Sequence, residues 1–521
     1  MDERTAGLIT SMINTVIIPT AGTGSRMGKY TENLNKSLLS FKGKPVIGHI
    51  IDQFSKDTRF IIPVGYLAEQ VKDFCSLAYA DRQIEFVDIA DYTTSNSGTA
   101  TTVKQCKSLV NGPFWYIPCD TYCNEDFISR VSANDCYFVK QVAADHNYLY
   151  TTFDIDNFTI NNIAFKVPQT DKWFAFTGVS YIYDWQDFFV RLDSISGVEI
   201  IETIRIGDAV NNLDTWLDFG NPEIYKSELI KSQKFDFTKT DELTYICNNR
   251  VVKWWLDSSI SKKKYSRTLV NPRVIPANCQ RNGNFIAYDY FEGKTLYENN
   301  DVSAFANYLN WLKTEVWTPA NVDITDASTE FYKIKTLARV NKFLEKYPNL
   351  KTVTSINGTP VKHHEYYLNQ IDWDYLSQKT LPGFIHGDLH FDNTVISSTG
   401  EFKIIDWRHE FANIVEYGDI YYDLAKLAGG FIINYAEIKD NNFTIEIKED
   451  NCMLTVPNIN NIAKYQQHLK EFILAEGYDY KKVQLLIPII FWNMSPLHTA
   501  PFDLFLWYLG IKLFQELENE Q

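Results

Sequence analysis

The chain has 521 residues, 45% hydrophobic and 22% charged, the profile of a globular protein too long for one ordinary core. A formal net charge of −15, shared by both halves and relieved by no basic tract, argues against nucleic acid or anionic membrane as a partner. Any phosphate site in so acidic a chain needs cations or metal ions of its own.

The N-terminal stretch "MDERTAGLITSMINT" lacks an apolar signal core. From 13 to 230, short apolar strands alternate with amphipathic segments. "TVIIPT", "RFIIPVG", "IEFVDI" and "PFWYIPCD" read as strands; "KPVIGHIIDQFS", "LAEQVKDFCSLAY" and "TATTVKQCKSLV" read as helices. This alternation predicts an α/β domain over 1–230 with a doubly wound, mostly parallel sheet. Around 150–185 the pattern turns strand-rich, an edge or inserted sheet suited to an acceptor pocket. The polar stretch 227–242 reads as a linker. A new pattern follows in the second domain, 231–521. "TYICNNRVVKWWL" predicts a hairpin around Asn248-Asn249, "GNFIAYDYFEGKTL" a strand leaving into a loop, and the chain after 300 is mainly helical. The apolar run "VQLLIPIIFW" (483–492) is too short to span a bilayer and contains Pro488, so no membrane insertion is expected. Eight scattered cysteines, the pair Cys119 and Cys123 included, lack zinc-site spacing and read as buried thiols of a reducing cytoplasm. No feature sets an oligomeric state.

The loop "AGTGSRMGKYTENLNKSLLSFKGKPVIGHII" (21–51) fails the dinucleotide pattern, because Met27 stands where the third glycine belongs. It suits phosphate better. Gly22 and Gly24 let backbone N–H groups approach oxygen closely, Arg26 offers a planar fork, and Lys36 adds a second cation. The loop and the "GKPVIGHII" that follows resemble the signature of the sugar nucleotidyltransferase family. The likeness continues through "VGYLAEQV" (64–71), similar to a segment of cytidylyltransferases acting on phosphocholine, then "NSGTATT" (96–102), "YIPCDTY" (116–122), "NNIAFKVP…FTGVSYIY" (161–183) and "TWLDFGNPEIY" (215–225). It implies that an acceptor phosphate attacks the α-phosphate of an NTP, tilted to CTP, and that pyrophosphate leaves. Asp120 and Asp218 would hold Mg²⁺, Arg26 would steady pyrophosphate, and Lys36 the α-phosphate. Gly98 and Thr99 would contact the nucleoside, Lys166 and Gly178 the acceptor. Cys119 departs from the small residue usual before the first Asp.

In "FIHGDLHFDN" (384–393), Asp388 and Asn393 are spaced as in a kinase catalytic loop, and "KIIDW" places Asp406 at a strand end. Such a set orients a hydroxyl and binds Mg²⁺ through Asn393 and Asp406, with Lys253 of "RVVKWW" on the ATP phosphates. H-G-D in place of H-R-D, followed by "YGDIYYDLAKL" (417–427), resembles the aminoglycoside phosphotransferase and choline kinase family. The resemblance implies a bilobal protein-kinase-like fold (N-lobe 236–293, C-lobe 294–521) and a hinge in "YDYFEGKTL" (288–296), where Tyr290 and Phe291 would meet adenine. Between Lys253 and the hinge the only acids are Asp257 and Asp289, so no helical Glu is placed to pair with Lys253. Trp407, Trp492 and Trp507 could line a quaternary-ammonium pocket, but the helical apolar spacing of "FDLFLWYLGIKLF" favours core packing.

Together the halves suggest consecutive steps: phosphorylation of a small-molecule alcohol, an amino alcohol or polyol, then CMP transfer from CTP to the phosphate, giving a building block for surface glycans or lipid head groups. The alternatives are a sugar 1-kinase joined to a uridylyl- or guanylyltransferase, and a nucleotidyltransferase carrying a degenerate kinase-like binding module.

Overall fold

The β-branched run Thr15–Ile17 forms β1, wholly buried, in a nine-stranded sheet. The structure, a computed structural model, describes residues 15–94, 97–143, 149–168, 173–232, 241–434, 437–438, 440–456 and 461–520. Residues 1–14, read as lacking a signal core, and half of the polar stretch 227–242 lie outside these residues.

Counting strands of three or more residues, β2 is Arg59–Val64, β3 Gln83–Asp88, β4 Phe114–Tyr116, β5 Cys136–Gln141, β6 Thr151–Asp156, β7 Thr159–Phe165, β8 Phe174–Ile182 and β9 Ala209–Asn212. The sheet order is β3-β2-β1-β4-β8-β5-β9-β7-β6. β1, β2, β3 and β4 run parallel. β2 is apolar almost throughout, as burial on both faces of a parallel sheet demands. β8 runs antiparallel to β4, β5 and β6, so the strand-rich region continues the same sheet at its far edge. The expected helices are α1 Val46–Ile51, α2 Ala68–Ala78 and α3 Thr99–Gln105; α4 is Trp185–Ser194 and α5 Pro222–Ser232. After the glycine loop comes only a short 3₁₀ stretch, Ser25–Tyr30, broken at Gly28 with φ 53°.

By packing, the described chain divides into two units: residues up to 232 with 241–258 and 280–287, and residues 259–279 with 288–520. The first unit thus contains more than the family-like segment ending near 230. Its hairpin is β10 Glu242–Cys247 and β11 Arg250–Trp255, turned by Asn248 (φ 49°) and Asn249 (φ 57°), the two left-handed residues such a tight turn requires. With β12 Gln280–Asn282 and β13 Phe285–Asp289 it forms a sheet of order β10-β11-β13-β12. Tyr245, fully buried, donates its hydroxyl to Leu38 O at 2.6 Å, and Asn248 donates to Ala78 O at 2.9 Å.

The second unit is mainly helical. Helices of eight or more residues are α6 Ser258–Val270, α7 Val302–Trp311, α8 Lys335–Lys346, α9 Ile420–Gly429, α10 Ile462–Ala475, α11 Tyr480–Met494 and α12 Phe502–Asn519. β14 Thr394–Ile396 pairs with β15 Phe402–Ile404, and β16 Thr444–Lys448 with β17 Asn451–Thr455. Trp492 and Trp507 are fully buried and stack 5.4 Å apart between α11 and α12, and Phe343 of α8 stacks on Trp507 at 4.4 Å. Trp407 is buried with its indole N–H on Lys264 O at 3.0 Å. These tryptophans are core, not cage. Among the described residues no helix is long and apolar enough to cross a membrane, and all eight cysteines are free thiols.

Gly178 sits where β8 shifts register between Phe176 and Ser180. Its φ is +87°, and a Cβ there would lie 2.4 Å from Pro118 Cγ. Gly178→Ala is therefore expected to destabilise the protein by about 1–3 kcal/mol. Thermal unfolding checks this; an unchanged midpoint would show that the loop yields freely.

Candidate functional site

The β1 and β4 ends open onto a cleft of about 650 Å³ in the first unit. Gly22, Gly24, Arg26, Lys36, Gly98, Thr99, Asp120, Lys166, Gly178 and Asp218 all line it. They come from six separate stretches of chain, and the fold brings them to one place.

Lys36 is set by Asn35, which is fully buried. The Asn35 amide donates to Thr20 O at 3.1 Å and Tyr66 O at 2.7 Å, and its oxygen accepts from Ser37 N–H at 3.0 Å. The Lys36 ammonium contacts the Asp120 carboxylate directly. Burial opposes the charge on each, yet the contact outweighs it. Lys36 is held above its usual range and Asp120 below. Asp218 shares the site: Gly220 N–H donates to its Oδ1 at 2.7 Å. Burial, then the Asp120 charge, pushes the Asp218 carboxyl up to about 6. A Cβ added at Gly220 would lie within 3 Å of Asp120 Oδ2 (2.5 Å), Asp218 Oδ1 (2.8 Å) and Lys36 Nζ (2.9 Å). Two crowded carboxylates beside one amine are a hard-oxygen donor set short of positive charge, which fits Mg²⁺.

The glycines serve different ends. Gly22 has open space where a Cβ would stand, whereas Gly24 is left-handed at φ 62° and closely faces Lys36 and Thr31 side chains. A Cβ at Gly98 would lie 2.3 Å from Val198 O, and Thr99 Oγ1 donates to Glu199 Oε2 at 2.9 Å. Gly98 and Thr99 therefore also hold the 198–200 loop against the cleft. Among the described residues Arg26 makes no hydrogen bond or ion pair; it is exposed at the rim, as is Lys166. Cys119 lines the cleft as a neutral thiol, pushed up to about 12 by burial and Asp120. Sequence reasoning missed Tyr150 and Trp216, whose rings meet edge to face 5.4 Å apart on the same wall.

In the second unit, Asp388, Asn393 and Asp406 lie on connected turns. Asn393 Nδ2 donates to Asp388 O at 2.9 Å, and Ile405 N–H donates to Asn393 O at 3.0 Å. Asp406 has φ +58°, a left-handed aspartate of the kind that concentrates at functional turns. His386 bridges the turns. Its Nδ1 accepts from Asp388 N–H at 3.0 Å, so the proton sits on Nε2, which donates to Ile405 O at 2.7 Å. Burial keeps this ring neutral, pushed down to about 3. Asp423 of α9, fully buried, accepts from His386 N–H and Gly387 N–H, both at 2.7 Å, and from the Trp317 indole at 3.1 Å. The Asp388 carboxylate pairs with Lys426 at 2.7 Å; burial opposes its charge, but Lys426 outweighs it and holds the carboxyl far below its usual range. Asn393 Oδ1 accepts no hydrogen bond among the described residues, an oxygen that fits a hard cation alongside Asp406.

Lys253 is buried on β11. Glu242, on the adjacent strand and upstream of Lys253, lies 3.8 Å from its ammonium. α6, where a pairing Glu is expected in kinases, is basic instead: Lys264 Nζ contacts Trp407 O, and Arg267 donates to Ile385 O and, at 2.8 Å, to Val415 O. Tyr290, exposed, and Phe291, half-buried, lie in the coil after β13, and the preceding Tyr288 packs on Trp407 with centroids 5.8 Å apart.

Residues 16–146 match the MobA-like NTP transferase domain, and residues 344–452 match the phosphotransferase enzyme family. The chain thus carries a nucleotidyltransferase domain followed by a kinase-type domain. Bifunctional protein GlmU of Methanococcus vannielii is 26% identical over 157 residues, 30% of this chain and 36% of that protein. GlmU of Methanococcus maripaludis is 26% identical over 221 residues, 40% of this chain and 51% of that protein. The chain spans about a third to a half of these curated relatives. Among solved structures, a UDP-glucose pyrophosphorylase complexed with UDP-glucose aligns at 16% identity and TM-score 0.37, over 42% of this chain and 98% of that one. CTP:phosphocholine cytidylyltransferase from Streptococcus pneumoniae aligns at 19% and TM-score 0.36, over 42% of this chain and all of that one.

The neutral, doubly bonded His386 makes the second unit acid-sensitive. Its folded pKa lies below the unfolded 6.5, so its contribution is complete above that value and is lost as pH falls toward about 3. Stability against urea is expected to decline below pH 6.5, with a slope of up to about 1.4 kcal/mol per pH unit from this group. His386→Asn should flatten that dependence; an unchanged slope would assign it to other groups.

Proposed function

We propose that the chain is a bifunctional enzyme whose second domain phosphorylates a hydroxyl of a small molecule with ATP and whose first domain transfers a nucleoside monophosphate to the product. CTP is the proposed donor of the second step and pyrophosphate its leaving group. The acceptor class proposed from sequence is an amino alcohol or polyol. The observation that carries the reading is the convergence of Arg26, Lys36, Lys166, Asp120 and Asp218 on one cleft. Mg²⁺ held by Asp120 and Asp218 would neutralise charge on the nucleotide phosphates. Lys36, pinned by Asn35 and Asp120, is placed to meet charge developing at the α-phosphate, and Arg26 at the rim to hold pyrophosphate. Gly22, with nothing in front of its Cβ position, lets backbone come close to phosphate oxygen. Lys166 would meet the acceptor phosphate.

In the second domain, Asp388 is the proposed base that orients the hydroxyl and takes its proton, with Asn393 and Asp406 as proposed Mg²⁺ ligands; Lys253, proposed from sequence for the ATP phosphates, belongs by packing to the first unit. Its ion pair with Lys426 keeps Asp388 ionised and ready to accept a hydrogen bond. Free thiols throughout suit a reducing compartment, and the cytoplasm is the proposed location. The connected turns bearing Asp388, Asn393 and Asp406 favour a working kinase over a binding-only module.

Asp120→Ala is expected to abolish NTP-dependent pyrophosphate release from a pre-phosphorylated acceptor while leaving ATP turnover intact. Asp388→Asn should do the converse, lowering ATP-dependent phosphorylation by about 10²–10⁴-fold. Pyrophosphate release and ADP formation, assayed separately on the full chain, check both. Loss of both activities in either variant would contradict two independent sites.

A further inference from the structure

Lys426 and Arg408 stand beside the Asp388 turn, and Lys335 and Arg339 lie close to them. Lys426 pairs with Asp388 at 2.7 Å and also lies 3.9 Å from Met494 Sδ. Arg339 donates to Asn493 O, one residue away on α11, at 2.8 Å. Lys335, one turn before Arg339 on α8, lies 2.9 Å above the Phe331 ring, and Arg408 packs on the same ring at 4.9 Å. The Arg408 side chain also covers Gly387, next to Asp388: a Cβ at Gly387 would lie 2.6 Å from Arg408 Cβ. All four residues are partly exposed.

Of the four, only Lys426 is seen against a carboxylate among the described residues. Among the described residues no carboxylate lies within ion-pair reach of Lys335, Arg339 or Arg408; the nearby Glu410 pairs with Lys263 at 2.8 Å. Lys335 faces only rings, Phe331 and, at 5.8 Å, Tyr422. Burial, then Arg408, Arg339 and Lys426, holds its amine well below the usual lysine range. Even in a chain of net charge −15, three crowded cations with no carboxylate within ion-pair reach among the described residues are unfavourable until an anion joins them. The void behind Lys335 is only about 10 Å³, room for one water, so an anion would meet the cluster from its open side.

We propose that Lys335, Arg339, Arg408 and Lys426 form the acceptor pocket of the phosphotransferase domain, and that the alcohol phosphorylated there carries a carboxylate or phosphate besides its reacting hydroxyl. This rests on the kinase reading above, and it selects against choline- or ethanolamine-like acceptors, whose cation would meet four like charges.

The test uses the full chain with ATP, Mg²⁺ and matched alcohols: choline and ethanolamine (cationic), glycerol (neutral), glycerate (carboxylate) and glycerol 3-phosphate (phosphate). Transfer is expected to glycerate or glycerol 3-phosphate, and which of the two is taken identifies the anion. Lys335→Gln should raise that KM at least tenfold with KM for ATP within twofold, and Lys335→Arg should restore most of the loss. Arg408→Gln is the second variant should Lys335→Gln not fold. Transfer to choline, ethanolamine or glycerol, unaffected by Lys335→Gln, overturns the inference and leaves the kinase reading standing. A rise in KM for ATP instead assigns the cluster to the nucleotide and also overturns it. Should the wild type phosphorylate none of these, the kinase reading loses its support and calorimetric titration with inorganic phosphate decides the pocket. In an Arg26→Gln background, at least tenfold weaker binding on adding Lys335→Gln supports the anion site; equal binding overturns it.

Discussion

The buried contact between Lys36 and Asp120 is the interaction on which the first unit's site turns. Desolvation alone would discharge both groups; each keeps its charge because the other is there. Removing one partner from such a pair typically costs about 3–5 kcal/mol, since it strands the other. The loop before Lys36 explains how so exacting a geometry is held. Asn35, through its side chain and backbone, ties the segment to Thr20, Tyr66 and Gln70, so the lysine leaves a backbone with little freedom. Asp218 then enters the same site, where burial first and the Asp120 charge second raise its carboxyl to about 6 despite Lys36. In the proposed reading, a divalent cation and a polyphosphate together would complete the charge balance of this cleft.

The second unit solves a similar problem with backbone donors. Asp423 carries no ion pair among the described residues; it holds the His386-Gly387 turn through two N–H groups, and burial leaves its carboxyl at about 6 despite them. Gly387 has φ +82° and is covered by Arg408, so its turn admits neither a side chain nor an ordinary backbone. His386 then ties Asp388 N–H to Ile405 O. The short turns carrying Asp388, Asn393 and Asp406 are thereby tied together, and Asp388 keeps 42% of its side chain accessible.

Much of this was legible in the sequence, and the exceptions share a cause. Gly22, Gly24, Arg26, Lys36, Asn393 and Asp406 sit in local patterns that single them out as candidates, and the strand–helix alternation located β1, β2 and β4. Glu242 was missed because a search downstream of Lys253 cannot find a diagonal cross-strand neighbour that precedes it. Tyr150 and Trp216 reach the cleft from strands far along the chain, and nothing local marks them. Lys426 looks like any exposed helical lysine in "YDLAKL"; only the fold sets it against Asp388. The hairpin β16–β17 could have been found, since "TIEIK" and "NCMLT" alternate inward and outward residues around a turn at Glu449, φ 52°.

Composition also misleads in one direction. A net charge of −15 suggests a protein that repels anions, yet each site is a local inversion of that field. The first collects Arg26, Lys36 and Lys166 against Asp120 and Asp218; the second collects Lys335, Arg339, Arg408 and Lys426 against Asp388. Screening over about 8 Å at physiological salt makes the distant acidic surface nearly irrelevant to a phosphate already in either site. What the global charge does affect is approach, since an anionic substrate crosses a repulsive field before it reaches the local cations. In the proposed reading, selectivity for anions resides in a few partly buried side chains, where a low local dielectric strengthens each interaction and where one substitution counts for more than the charge of the rest of the surface.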